Sequence, residues 1–90
     1  VAKNFKSALQ HFSQREFTMA PTYLILDQQG PDHDKSFFIA AKIGSREFEP
    51  AWGKSKKEAE QRAAGNALTA LGQVPADAAE ELDVDTEDDK

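Results

Sequence analysis

The sequence predicts an α+β domain with the element order α-β-β-β-α, in which a three-stranded antiparallel sheet packs on two helices. Apolar residues recur at helical spacing near residue 10 and again near residue 65. Between these segments, stretches rich in strand-forming residues are separated by clusters of turn residues. A chain of 90 residues is long enough for one small hydrophobic core. We therefore expect a single domain over residues 1–72.

The first helix is predicted over residues 3–14. Phe5, Ala8, Leu9 and Phe12 follow the i, i+3, i+4, i+7 spacing of a helix that buries one face. Polar residues lie beside this stripe, so the opposite side of the helix should face solvent.

Three strands are predicted next. Residues 22–28 are rich in strand formers, and residues 37–43 alternate between two faces, as in a half-buried strand. Gly44-Ser45 forms a hairpin signal before a third strand near residues 46–52. Pro50 cannot donate a ladder hydrogen bond, which predicts that the third strand lies at an edge.

The last helix is predicted from Lys56 to Leu71. Ser55 and Glu58 form a capping box at its start, and Gly72 is placed as its C-cap. Gly65 inside the helix costs roughly 1 kcal/mol relative to alanine, and the sequence offers no reason for it. The residues that this arrangement should bury are Phe5, Leu9, Phe12, Tyr23, Phe37, Ile39, Ala63, Leu68 and Leu71.

Charge is distributed unevenly along the chain. The formal net charge is −5, which by itself argues against a polyanionic ligand. However, residues 73–90 hold eight acidic residues and one lysine, so residues 1–72 carry a net charge of +2. The composition of residues 73–90 predicts an acidic, disordered tail. The absence of cysteine excludes disulfides, a thiolate nucleophile and cysteine-based zinc sites, and no apolar run is long enough to span a membrane.

Lysines are concentrated at the start of the last helix. A helix N-terminus is partially positive and favours acidic residues, but Lys54, Lys56 and Lys57 lie there. Backbone amides and ammonium groups at one point favour anion binding. A solvated basic surface, in which Lys57 contacts Glu60 or Gln61, fits the local sequence equally well. The spacing of a nucleotide-binding P-loop is absent.

Three motifs resemble the double-stranded-RNA-binding domain family: PTY at 21–23, GPDH at 30–33 and GKSKKEAEQRAA at 53–64. They occur in the family's order, and the resemblance as a whole covers roughly residues 4–71. Their wording is most similar to the C-terminal domain of bacterial ribonuclease III. The resemblance implies a module that binds duplex RNA by shape, across about 16 base pairs.

The resemblance also implies which side chains bind RNA. One group on the first helix and another in the GPDH loop would contact two successive minor grooves, and the lysines would contact phosphates between them. Without the resemblance, the glutamines are ordinary surface residues and the histidine is a turn residue. The implied RNA-binding residues are Gln10, Gln14, Pro31, Asp32, His33, Lys54, Lys56 and Lys57.

This chain is expected to bind RNA without being an enzyme itself. The resemblance places nuclease activity in a separate catalytic domain, expected upstream of Val1, and Mg²⁺ is expected only there; no cofactor is expected here. We expect a cytoplasmic protein, no membrane partner and a domain that is monomeric in isolation. The resemblance is compatible with a parent enzyme that is a homodimer through its catalytic domain.

One departure from the family supports an alternative function. Trp52 stands where the family commonly has a Gly-x-Gly segment. With Phe38, it could form an apolar patch on the sheet face for a protein partner or for dimerisation. Local packing of Trp52 against Pro50 is the other explanation, and the sequence leaves both open.

Overall fold

The structure, a computed structural model, describes residues 4–73 and confirms the predicted α+β class. The acidic tail predicted over residues 73–90 lies outside the described residues, apart from Gln73 at its start. The elements in chain order are α1 (Phe5–Phe17), β1 (Thr22–Gln29), β2 (Ser36–Ile43), β3 (Arg46–Glu47), β4 (Ala51–Gly53) and α2 (Lys56–Ala70).

The sheet is antiparallel and β2 is its central strand. β1 pairs with β2 along its whole length, from Thr22 opposite Lys42 to Gln29 opposite Ser36. The register shifts once, near Leu26, as in a β-bulge. β3 and β4 both pair with the other side of β2, so they share the second edge of the sheet.

The prediction of one third strand over residues 46–52 is wrong, because β3 and β4 are separate short strands. Phe48 lies between them with its side chain buried, and its N–H donates to a carbonyl of β2 at 2.9 Å. Pro50 has no N–H to continue the ladder. The side-chain amide of Asn66 donates to the carbonyls of Glu49 and Pro50, so α2 partners the interrupted backbone. The predicted edge position is confirmed.

Helix α1 begins and ends later than predicted. Asn4 is its N-cap and accepts a hydrogen bond from the backbone N–H of Ser7 at 3.0 Å. The helix ends at Phe17, and its C-cap, Thr18, adopts a left-handed conformation with φ 57° and donates its N–H to the carbonyl of Gln14. The helix has 13 residues, one more than the predicted segment, and is displaced toward the C-terminus of the chain.

The buried stripe of α1 differs from the prediction at two positions. Ala8 is exposed, whereas Ser13 is fully buried. The hydroxyl of Ser13 donates to the carbonyl of Met19. This bond satisfies the hydroxyl and ties the chain beyond α1 back to the helix, which explains how a polar side chain occupies a core position.

The C-cap of α2 is Leu71, one residue before the predicted Gly72, which follows it as the left-handed residue of the cap. Gly72 has φ 76° and donates its N–H to the carbonyl of Thr69 at 3.0 Å. The N–H of Gln73 donates to the carbonyl of Leu68 at 2.8 Å, which completes a Schellman motif. The helix itself ends at Ala70, one residue before the predicted end.

The core lies between the sheet and the two helices. Ile39, Ala41 and Ile43 point from β2 toward the alanine-rich face of α2, and Phe5 and Leu9 complete the core from α1. The remaining buried core residues are Phe48, Ala59, Ala63, Ala64, Ala67 and Leu68. All nine residues predicted to be buried belong to this core or pack against it, four of them half-buried: Phe12, Tyr23, Phe37 and Leu71.

Gly65 allows the two helices to approach closely. A Cβ atom at this position would lie 2.8 Å from Cδ2 and 3.1 Å from Cε2 of Phe5. These distances are shorter than a normal carbon–carbon contact. The glycine therefore makes room for the Phe5 ring, a reason that lies in the tertiary structure.

Candidate nucleic-acid interface

The start of α2 presents the lysines on a tightly capped helix end. Ser55 accepts a hydrogen bond from the backbone N–H of Glu58 at 3.0 Å, which confirms the predicted cap. The Glu58 carboxylate accepts from the N–H of Lys54 at 2.8 Å, one residue before the cap, and it also pairs with Arg62 at 2.8 Å. Both ends of the capping box are thus fixed. Lys54, Lys56 and Lys57 are all exposed.

The loop between β1 and β2 carries the second predicted group. Gly30 has φ 98°, and a Cβ there would overlap the carbonyl oxygen of Asp34, so the turn requires glycine. The N–H of Asp34 donates to the carbonyl of Pro31 at 2.9 Å and closes the turn. Asp32 pairs with Lys35 at 3.5 Å. Pro31, Asp32 and His33 are exposed.

Strand pairing brings this loop to the lysines. Phe37 at the start of β2 is opposite Gly53 at the end of β4. Because the pair is antiparallel, the residues before Phe37 run alongside those after Gly53. The resulting open cleft has a volume of about 520 Å³. Its lining residues are Asp32, His33, Asp34, Lys35, Phe37, Lys54, Ser55 and Lys56.

The cleft contains four residues that the sequence analysis did not assign to the site: Asp34, Lys35, Phe37 and Ser55. Asp34 approaches Lys54 at 3.9 Å, and the ammonium of Lys56 lies 5.8 Å from the centre of the Phe37 ring. Lys35 lies two residues after the GPDH motif, so its closeness to the predicted RNA-binding loop can be read from the sequence. Asp34 adjoins the motif as well, but its contact with Lys54, like that of Phe37 with Lys56, depends on the strand register and has no local signal.

The glutamines lie on a different surface. Gln10 and Gln14 are exposed one turn apart on α1, and neither lines the cleft. Lys57 and Pro31 are likewise outside the cleft lining, although each adjoins a residue that lines it. The structure therefore brings Asp32, His33, Lys54 and Lys56 together and leaves the glutamines on a separate helix.

A cluster at the start of α1 fixes that helix to α2 and the sheet. The backbone N–H of Lys6 donates to Gln61 Oε1 at 3.0 Å, and its ammonium pairs with Glu60 and lies 5.3 Å from the centre of the Tyr23 ring. Burial of the Tyr23 hydroxyl, with a smaller contribution from the Glu60 carboxylate, raises the pKa of Tyr23 to about 12. The position of the glutamines relative to the lysines is therefore set by specific contacts.

The outer sheet face shows how Trp52 is accommodated. Its ring stacks on that of Phe38 at 4.7 Å between centroids and 24° between planes, and both residues are half-buried. Arg62 donates to the Trp52 carbonyl at 2.9 Å. The structure thus places Trp52 and Phe38 together on this face, as the apolar-patch alternative expected, and a protein partner for this patch stays a prediction.

Neither a metal site nor a membrane span is found among the described residues. Within residues 4–73, no group of three or more His, Cys, Asp or Glu side chains is placed to hold a metal ion. In the same part of the chain, no helix has the length and apolar character needed to cross a membrane.

The fold, the loop and the lysine-bearing helix start together define the class of this protein. Residues 5–71 match the double-stranded RNA binding motif, and the chain belongs to that family. This confirms the resemblance inferred from the three sequence motifs.

Individual relatives carry the name Ribonuclease 3. The chain is 51% identical over 76 residues to that of Rhodopirellula baltica, which covers 82% of this chain and 29% of the relative. It is 46% identical over 71 residues to a Ribonuclease 3 of Helicobacter pylori, a match that covers 79% of this chain and 30% of the relative. It is 42% identical over 72 residues to the Ribonuclease 3 of Borreliella afzelii, a match that covers 80% of this chain and 29% of the relative. The chain thus spans about 30% of the length of these relatives.

Proposed function

We propose that this chain binds double-stranded RNA through α1, the 30–35 loop and the start of α2, and that it serves as the substrate-binding part of a ribonuclease III-type endonuclease. The observation that supports this most strongly is the cleft in which the His33 loop meets Lys54 and Lys56. Membership of the double-stranded RNA binding motif family gives the ligand class. The names of the relatives suggest the parent enzyme.

The proposed contacts follow from the chemistry of the exposed groups. Lys54, Lys56 and Lys57 would neutralise phosphates across the major groove, aided by the partial positive charge of the α2 N-terminus. His33, with the backbone of Pro31 and Asp32, would contact 2′-hydroxyls and base edges in one minor groove.

Gln10 and Gln14 would contact the neighbouring minor groove. Their amides can donate and accept hydrogen bonds, which suits 2′-hydroxyls and base edges alike. Because the proposed contacts involve mostly phosphates and sugars, sequence preference should be weak.

Fluorescence anisotropy tests RNA binding directly. The ligands are an RNA duplex of about 20 base pairs, which exceeds the expected site of about 16, the matched DNA duplex and the single-stranded RNA. We expect the RNA duplex to bind most tightly, because B-form DNA has different groove widths and no 2′-hydroxyls. Equal affinity for the RNA and DNA duplexes would contradict recognition by shape.

The lysines are tested by the salt dependence of the same measurement. Replacing Lys54, Lys56 and Lys57 together by alanine should reduce the slope of log affinity against log salt by roughly 2–3, about one unit for each phosphate that is no longer neutralised. Lys42→Ala, which removes one lysine charge where the triple variant removes three, is the control for a lysine away from the site, because Lys42 lies at the far end of β2, opposite Thr22 and Glu47. An unchanged slope in the triple variant would exclude these lysines as phosphate ligands.

The role within a nuclease is tested by domain exchange. The segment of Rhodopirellula baltica Ribonuclease 3 that matches this chain would be replaced by the chain itself. We expect the chimera to cleave duplex RNA, and the chimera with the triple lysine change to require higher RNA concentrations for the same rate. A chimera that cleaves equally well with and without the lysines would contradict a substrate-binding role.

A further inference from the structure

Two carboxylates lie in the same cleft as the lysines. Asp32 pairs with Lys35 at 3.5 Å and Asp34 pairs with Lys54 at 3.9 Å. The first pair lies within the loop, whereas the second joins the loop to the residue that precedes the α2 cap. The cleft proposed to bind phosphate therefore already holds two anionic groups of its own.

The Asp34–Lys54 pair occupies a lysine that is also a proposed phosphate ligand. A phosphate oxygen that hydrogen-bonds to the Lys54 ammonium would lie within about 7 Å of the Asp34 carboxylate, since a charged N–H···O contact adds about 2.8 Å to the observed separation. This distance is shorter than the Debye length of about 8 Å at physiological salt. When Lys54 binds phosphate, it must therefore either separate from Asp34 or bring the phosphate close to the Asp34 carboxylate, which repels it.

The geometry points to Asp34 as an internal competitor of RNA phosphate. We propose that its carboxylate holds Lys54 in the free protein and lowers the affinity of the cleft for duplex RNA. This inference rests on the proposed function. Because side chains of both residues are largely exposed, at 76% for Lys54 and 67% for Asp34, the exchange occurs at the surface and needs no rearrangement of the fold.

The test is the variant Asp34→Asn in the complete chain. Asparagine keeps the size of the side chain and the backbone N–H that donates to Pro31, but it removes the charge. We expect duplex RNA to bind about two- to fivefold more tightly at low salt, the size of effect typical of exposed charges. The gain should shrink as salt is added, because screening weakens both the ion pair and the repulsion.

Asp27→Asn is the matched control. Asp27 is an exposed aspartate on β1 whose carboxylate accepts a hydrogen bond from the N–H of Gln28, and it does not line the cleft. The change in net charge is the same in both variants. Equal gains would show that total charge accounts for the effect, and would overturn the specific role of Asp34.

A double-mutant cycle connects the effect to Lys54. In a Lys54→Gln background, Asp34→Asn should increase the affinity for duplex RNA by less than half of the increase that it causes in the unchanged chain. An Asp34→Asn variant that binds the duplex no more tightly, while the unchanged chain does bind it, overturns this inference and leaves the proposed function intact. Failure of the unchanged chain to bind duplex RNA would overturn both.

Discussion

The close contact between Gly65 and Phe5 makes Gly65→Ala an informative perturbation. In an open helix position this change is stabilising by about 1 kcal/mol, because alanine has the higher helix propensity. Here the added Cβ would lie 2.8 Å from Cδ2 of Phe5, about 1 Å inside a normal carbon–carbon contact. Overpacking of this kind costs about 1–3 kcal/mol. The two effects together predict a destabilisation of up to about 2 kcal/mol.

Urea denaturation followed by Trp52 fluorescence measures this effect. Phe5→Leu provides the control, because it removes the ring atoms that the new methyl group would contact. In that background Gly65→Ala should be less destabilising than in the unchanged chain. A Gly65→Ala variant that is more stable than the unchanged chain by about 1 kcal/mol would refute the packing explanation.

The same substitution has a functional consequence that stability alone does not explain. Phe5 lies at the start of α1, the helix that carries Gln10 and Gln14. A displacement of α1 would change the spacing between the glutamines and the lysines. We therefore expect Gly65→Ala to weaken RNA binding at temperatures where the variant is fully folded, as checked by anisotropy beside circular dichroism. Unchanged affinity would show that α1 does not need this position for binding.

Three further predictions concern the tyrosine, the cap and the aromatic stack. The pKa of Tyr23 is about 12 in the folded protein and 10.0 in the unfolded chain. The free energy of unfolding should therefore keep its full value below pH 10 and fall between pH 10 and 12, because the unfolded chain loses this proton first. The expected loss is about 1–2 kcal/mol, reduced by solvent screening of the half-buried ring. Tyrosinate absorbance reports this directly, because the sequence has a single tyrosine, and an apparent pKa near 10 in the folded state would contradict it. Ser55→Ala removes the hydroxyl that accepts the hydrogen bond from the N–H of Glu58, and urea denaturation should show a free energy of unfolding lower by about 1 kcal/mol. The control is Ser45→Ala, which should cause no loss because Ser45 is exposed in the β2–β3 turn. Trp52→Ala removes the half-buried stack on Phe38 and should destabilise the domain by about 1–2 kcal/mol. The folded variant should keep its RNA affinity, because Phe37–Gly53 and Ile39–Ala51 still pair; a large loss of affinity would show that the stack is required to hold this register.

Local sequence patterns were sufficient to predict the start of α2 and to place its end within one residue. The capping box needs only residues three apart, and the Gly72 cap needs only a residue that tolerates positive φ. The start of α1 was predicted two residues too early, because the spacing of apolar residues does not mark a helix boundary and the cap at Asn4 does. Ser13 was missed as a core residue, since its burial depends on a carbonyl acceptor at Met19 beyond the helix.

Features that depend on distant contacts could not be predicted from local patterns. The division of the third strand depends on Phe48 entering the core and on Asn66 partnering two carbonyls, 16 and 17 residues earlier in the chain. The role of Gly65 required the position of Phe5. The net charge of −5 was similarly uninformative, because the +2 of residues 1–72 and the position of the lysines within them are what bear on a polyanionic ligand.

The candidate site depends on the register of a very short strand pair. β4 has three residues, yet its pairing of Phe37 with Gly53, Phe38 with Trp52 and Ile39 with Ala51 determines which loop residues face the lysines. Successive residues of a strand point to opposite faces, so a slip of one residue would move Trp52 from the outer face into the core side of the sheet. The Trp52 stack on Phe38 and the hydrogen bond from Arg62 to the Trp52 carbonyl both oppose such a slip. Trp52, the residue that departs from the family pattern, thereby stabilises the register that brings His33 to Lys54 and Lys56.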